Sequence, residues 1–379
     1  MKTKTKLSLS SPHMSGSEML YLERAFQENY ISTLGKNIEL FEDKLGVWLG
    51  GSIFPIVLNT GTAALHLALI ILGVKAGDEV ICQSMTFSAS ANPITYQGAT
   101  PVFVDSEKET WNMCPLALEE AIKDRLSKGK KPKAIIVVHL YGMPAKMDEL
   151  MAVASKYEIP IIEDAAEALG SSYKGQKCGT FGEMSILSFN GNKIITTSGG
   201  GALICKTSEQ KDKAVFLSTQ ARDNAPHYQH SEIGYNYRMS NICAGIGCGQ
   251  MEVLDERISQ RRANHQFYID LFKNIESVEV FTEPSEDYFS NHWLSAVLID
   301  PQKAGFSRED LRLKFLEDNI ESRPLWKPMH LQPVFAEAPY YGGQVAQQLF
   351  ENGLCLPSGS NLTDADRQRI SEVVYKLKH

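Results

Sequence analysis

Apolar and polar positions follow two rhythms along the chain. In the first two thirds, short apolar runs recur at 55–59, 79–82, 101–104, 134–140 and 159–163, with helix-spaced stretches between them. Near-continuous apolar runs with helical spacers predict strands buried on both faces of a mostly parallel sheet. Residues 62–72, with Ala and Leu at helical steps, are the clearest spacer, and 185–189 and 202–205 predict two further strands around a glycine turn. The pattern is that of an α/β protein.

After about residue 206 the rhythm turns helical. Residues 241–262 carry apolar side chains at three- and four-residue steps, which predicts one long helix. Gly245, Gly247 and Gly249 fall inside it without dinucleotide-binding spacing, so they predict close helix packing. A smaller α+β part is expected from 256, with a strand at 293–299, a helix at 308–318 and a terminal helix at 364–378. The Pro- and Gly-rich stretches 323–333 and 356–360 predict loops. The expected division is a large domain over 1–255 and a small one over 256–379. Ser15-Gly-Ser-Glu18 predicts a capping box for an N-terminal helix running to about Gln27.

Composition narrows the function classes. The 379 residues are 43% hydrophobic and 22% charged, proportions of an ordinary globular protein. The formal net charge is −7 and no block of like charge stands out, so no nucleic-acid footprint is expected. The longest apolar run, about 63–74, contains His66 and is too short to span a bilayer, so no membrane partner is expected. The basic start, Met1-Lys-Thr-Lys-Thr-Lys6, leads into a polar Ser-rich stretch, unlike a signal peptide. Seven scattered cysteines without a Cys-x-x-Cys pair fit reduced thiols, and a cytoplasmic location is expected.

Three segments carry candidate chemistry. Asn59-Thr-Gly-Thr-Ala-Ala64 follows a strand and opens a helix, which offers unpaired N–H groups and a positive dipole end to an anion; an ordinary strand–turn–helix corner reads equally well. Ile162-Glu-Asp-Ala-Ala-Glu167 puts acids at the carboxyl end of a buried strand, where open α/β sheets place ligands. On spacing alone, Asp164 with Glu167 is more simply a capping box for a helix beginning at Ala165. Lys193 follows a strand and precedes Gly199-Gly-Gly201, a setting in which a partly dry amine can attack a carbonyl. Taken together, an anion seat, a strand-end acid and a loop lysine are what pyridoxal phosphate (PLP) requires. His227 and His230 have only Glu232 near them as an oxygen ligand, and no metal is expected. A P-loop and a Gly-x-Ser-x-Gly elbow are both missing.

At these residues the sequence resembles the nucleotide-sugar aminotransferases of the DegT class, PLP enzymes of fold type I, over nearly the whole chain. The blocks Gly61-Thr-Ala-Ala-Leu-His-Leu-Ala68, Glu163-Asp-Ala-Ala-Glu-Ala-Leu-Gly170, Asn190-Gly-Asn-Lys193 through Gly201, Gly234-Tyr-Asn-Tyr-Arg-Met-Ser240 and Arg323-Pro-Leu-Trp-Lys-Pro-Met-His330 are similar to one branch. That branch is the UDP-2-acetamido-4-amino-2,4,6-trideoxyglucose transaminases of bacillosamine-type sugar synthesis. The resemblance implies that Lys193 is the Schiff-base lysine and Asp164 the carboxylate facing the pyridine nitrogen. By the same likeness Phe87 stacks on the ring, Thr62, Ala63 and Ser188 form the phosphate seat, and Asn236 reaches the phosphate from a partner subunit. Glu167 matches a position near the phenolic oxygen where many relatives carry Gln, and His330 lies in a block near the substrate. The resemblance further implies a homodimer that uses L-glutamate and a UDP-linked 4-keto-6-deoxy sugar; the same chemistry on a dTDP or GDP sugar, or at C3, is the alternative.

Overall fold

In the computed structural model, which describes residues 4–50 and 52–378, the apolar runs do become a sheet. Strands β1 (Phe54–Leu58), β2 (Glu79–Gln83), β3 (Thr100–Val104), β4 (Ala134–Val138) and β5 (Ile161–Asp164) alternate with helices. The short strands β6 (Ser172–Tyr173) and β7 (Gln176–Lys177) form a hairpin, and β8 (Met184–Ser188) and β9 (Gly201–Cys205) follow. Towards the C-terminus lie β10 (Val278–Val280), β11 (Tyr288–Phe289), β12 (Ser295–Ile299), β13 (Arg323–Pro324), β14 (Tyr340–Tyr341) and β15 (Gly353–Leu356).

The large sheet has the order β1-β9-β8-β5-β4-β2-β3-β14. Only β9 runs against the rest, pairing antiparallel with both β1 and β8. Both faces are covered, which is why the strands read as unbroken apolar runs. One core packs α3 (Gly61–Ile71) on the sheet, and another packs α5 (Pro115–Ser127) and α6 (Met147–Lys156) on it. A second sheet, β10-β12-β15-β13, is wholly antiparallel.

The N-terminal helices α1 (Glu18–Gln27) and α2 (Lys36–Leu49) pack on α8 (Asn241–Met251). The three helix glycines make this approach close, as expected. A Cβ at Gly247 would stand 2.5 Å from the Phe41 ring, and one at Gly249 would stand 2.9 Å from the backbone N of Glu18. The single helix expected over 241–262 is two: α8 ends at Met251, Val253 leaves helical geometry at ψ 9°, and α9 (Leu254–Phe272) begins anew. Helix α9 joins two cores, with Leu254 and Ile258 in one and Tyr268, Leu271 and Phe272 in the other.

Two expected capping boxes are not formed. Helix α1 starts at Glu18, and its carboxylate accepts the N–H groups of Ser15 and Gly16 at 2.7 and 2.8 Å, while Ser15 Oγ pairs with Ser17. No helix begins at Ala165; the chain there makes tight turns, which frees Asp164 and Glu167 for other partners.

The remaining helices are α4 (Asn92–Tyr96), α7 (Ser208–Ser218), α10 (Pro301–Ala304), α11 (Arg308–Glu317), α12 (Val345–Asn352) and α13 (Asp364–Lys378). None of the described helices is long and apolar enough to cross a membrane. The basic start of the chain, residues 1–3, lies outside the described residues.

Candidate active site

The carboxyl ends of β5 and β8, the start of α3 and the loop after β8 converge on one cleft of about 700 Å³. Thr62, Phe87, Asp164, Glu167, Ser188 and Lys193 all line it. Ala63 lies just beneath the lining, buried, with its N–H donated to Thr60 Oγ1 at 2.9 Å.

Asp164 ends β5 and is 6% exposed. Its Oδ2 accepts the Ser90 hydroxyl at 2.6 Å, Ser90 Oγ is 2.6 Å from Thr86 Oγ1, and its Oδ1 accepts Ala166 N–H at 3.2 Å. The carboxylate is therefore fixed from two sides before any ligand arrives. Neither Ser90 nor Thr86 is visible as a site residue in the sequence, because the carboxylate that Ser90 meets lies 74 positions away and Thr86 acts only through Ser90.

Lys193 projects from the loop after β8, and its N–H donates to Asn190 O at 3.0 Å. Its Nζ lies 3.2 Å from Glu167 Oε1 and 4.1 Å from the centroid of the Trp293 ring. Buried Arg261 on α9 holds this arrangement from behind: it donates to Lys193 O, Trp293 O and Ser358 O. Burial without a carboxylate partner lowers the Arg261 guanidinium to about 9. Trp293 and Arg261 read as core and helix-face residues, and their part in the site was not foreseen.

Glu167 is raised to about 7, chiefly by burial; the Lys193 cation and the Tyr141 N–H act against the rise. Phe87 is 58% exposed at the rim, with its ring 5.7 Å from that of Trp326.

The start of α3 supplies the polar floor. Its first N–H groups, at Gly61 and Thr62, have no intrahelical acceptor. The hydroxyls of Thr62 and Ser188 make no hydrogen bond with another described residue. Gly201 allows this corner to close: a Cβ there would stand 2.3 Å from the backbone N of Gly61.

Two expected site residues lie elsewhere. Asn236 is exposed outside the cleft, and its Oδ1 accepts Gln220 Nε2 at 3.2 Å. It does not cap α8, because Ser240 does so. His330 also lies outside the cleft lining, with its ring stacked on Tyr340 at 3.7 Å and its Nδ1 2.6 Å from Ser84 Oγ. His227 and His230 bond separately to Gln229 and to the Gln220 carbonyl.

The DegT/DnrJ/EryC1/StrS aminotransferase family matches residues 12–375. The chain belongs to that family. It is 50% identical over 378 residues, 99% of this chain and 96% of the relative, to EpsN of Bacillus subtilis (strain 168), whose name carries the words pyridoxal phosphate-dependent aminotransferase. It is 39% identical over 366 residues, 97% of either chain, to the GDP-perosamine synthase of Escherichia coli O157:H7. Among solved structures, a Streptococcus pneumoniae protein described with the words sugar aminotransferase, in its PLP form, superposes with TM-score 0.89 at 27% identity, covering 99% of each chain.

This member of the family is thus a PLP-dependent sugar aminotransferase with an α/β fold. Its cleft fits the cofactor on chemical grounds. It offers unpaired donors for a phosphate at the α3 corner, an anchored carboxylate and a nearly buried amine.

Proposed function

We propose that this aminotransferase moves an amino group from L-glutamate to C4 of a UDP-linked 4-keto-6-deoxy-N-acetylhexosamine, yielding the UDP-4-amino-4,6-dideoxy-N-acetylglucosamine. The convergence of Lys193, Asp164 and an anion seat on one cleft carries the amino-transfer chemistry. Uridine and the C4 position rest on the sequence blocks at 61–68, 163–170, 190–201, 234–240 and 323–330.

We assign the phosphate seat to Thr62, Ser188 and the first N–H groups of α3, whose dipole favours an anion. Ala63, with its N–H occupied, shapes that seat from below. Bound PLP supplies an electron sink for the carbanion that forms at the reacting carbon. Asp164, held ready by Ser90, would keep a proton on the cofactor's ring nitrogen. Phe87 limits tilt of the ring and screens one face from water. Lys193 Nζ would hold the cofactor and, when free of it, would serve as the base that moves the proton at the reacting carbon.

A substrate panel tests the nucleotide. With the enzyme converted to its amine form by glutamate, the UDP-linked 4-keto-6-deoxy-N-acetylhexosamine should be turned over with a kcat/KM at least about tenfold above its GDP and dTDP counterparts, about 1.4 kcal/mol of transition-state binding. The identity to a GDP-perosamine synthase favours a second reading, in which a GDP-linked ketosugar is the acceptor. Faster turnover of the GDP sugar would select it.

We further propose an isologous homodimer in which Asn236 completes the partner's phosphate seat; its exposed position outside its own cleft supports this. Co-expressed Lys193→Ala and Asn236→Asp chains should then recover about half the native activity per heterodimer, because one of two sites collects both defects and the other none. Recovery of nothing would mean that each site belongs to a single chain.

A further inference from the structure

Glu167 is 4% exposed and lies against the amine that the amino-transfer reading employs. Its two oxygens have different surroundings. Oε2 accepts Tyr141 N–H at 2.8 Å, and Tyr141 sits at φ +55°, a left-handed conformation uncommon for an aromatic residue. Oε1 is left facing Lys193 Nζ at 3.2 Å. The Glu167 carbonyl is fixed as well, accepting Asn291 Nδ2 at 2.8 Å. The carboxyl group therefore has one anchored oxygen and one oxygen presented to the amine.

We propose that Glu167 is a second proton-transferring residue of the site, passing a proton between its Oε1 and Lys193 Nζ. The proposal rests on Lys193 being the reacting amine. In the forward step an N–H bond of the ammonium breaks and an O–H bond forms on Oε1. The amine recovers its lone pair and Glu167 becomes a neutral acid. The pair carries no net charge before or after, so no further reactant is needed. The charges of an ion pair are exchanged for a neutral pair in a buried setting, where low polarity makes the two states close in energy.

The groups around Glu167 act in both directions. Asp164 on β5 disfavours a second negative charge, and the Lys193 cation and the Tyr141 N–H favour it. Two further titratable groups face it from other elements: the Tyr141 phenol and the Cys355 thiol of β15, both pushed up by burial. Burial is the largest influence on Glu167 and holds it near 7, where an acid can both give and take a proton at neutral pH. A glutamine at this position would keep the shape but could not exchange that proton.

Infrared difference spectroscopy of the cofactor-free protein, between about pH 6 and about pH 8, reads the Glu167 proton directly. The native protein should have a protonated-carboxyl stretch that disappears with a midpoint near 7, as burial of Glu167 dictates. Glu167→Gln should lack that stretch, Glu167→Asp should regain a titrating one, and Lys193→Ala should move the midpoint upward because the neighbouring cation is gone. With PLP bound, Glu167→Gln should still be trapped by borohydride on Lys193, yet convert with glutamate about a hundredfold more slowly. Glu167→Asp should recover part of that rate and a pH profile of the native form. A native carboxyl stretch that survives Glu167→Gln, or an unchanged glutamate half-reaction in that variant, would overturn the proposal. Failure of borohydride to label Lys193 in the native protein would instead overturn the underlying assignment of the amine.

Discussion

Lys193→Ala should lower the glutamate half-reaction by at least about 10³-fold, because it removes both the attachment point of the cofactor and the base at the reacting carbon. The variant should fold. The side chain is 12% exposed, and its amine contacts Glu167 and the Trp293 face. The turn that carries it is held by backbone, through Lys193 N–H to Asn190 O and Arg261 to Lys193 O, and alanine keeps both bonds. Rapid mixing with glutamate, followed by the change in cofactor absorbance, measures the loss. Borohydride should label a single peptide containing Lys193 in the native protein and none in the variant. A small exogenous amine should restore part of the rate, since the cavity left above Trp293 is the size of the missing chain. A label on a different lysine, or a loss of less than tenfold, would remove Lys193 from the assigned role.

Asp164→Asn should be almost as damaging, and for a different reason. The amide is the same size, so β5 and its register with β8 should persist. What disappears is a buried negative charge that Ser90 and Ala166 N–H hold in place. A protonated ring nitrogen facing it would then stand unpaired, and breaking a buried charge pair by removing one partner costs about 3–5 kcal/mol. That corresponds to a loss of about 150-fold to about 5,000-fold in the half-reaction rate, with PLP bound more weakly. Equilibrium dialysis of PLP and single-turnover kinetics measure the two parts. Undiminished turnover would mean that Asp164 does not meet the ring nitrogen.

The sheet was legible in the sequence because its strands are buried on both faces, and β2, β4 and β5 have no exposed face. The α3 corner was legible too, since the residue types needed to open a helix beside a strand are local. What lay beyond local reading was long-range. Nothing in Gly201–Cys205 marks β9 as the one strand running against its neighbours, and Tyr340–Tyr341 gives no sign that it completes the far edge of the large sheet as β14. Asp164 and Glu167 are separated by three positions in either reading. Only the turns after β5 decide that they serve the cleft instead of a helix end. Ser90, Arg261 and Trp293 were missed for the same reason: their partners are distant in sequence, and each side chain taken alone is unexceptional.

Helix α9 crosses from one core to the other without a break, and stretches distant in sequence pair elsewhere as well. Leu7 pairs with Ile320, β11 pairs with β6, and β14 pairs with β3. A cleft framed in this way is stitched together from stretches of chain that lie far apart in sequence. Side chains such as Arg323 and Trp326 thus reach the cleft lining from a stretch more than a hundred positions from Lys193. The likeness to a relative such as the GDP-perosamine synthase runs over the whole of this frame, 97% of either chain.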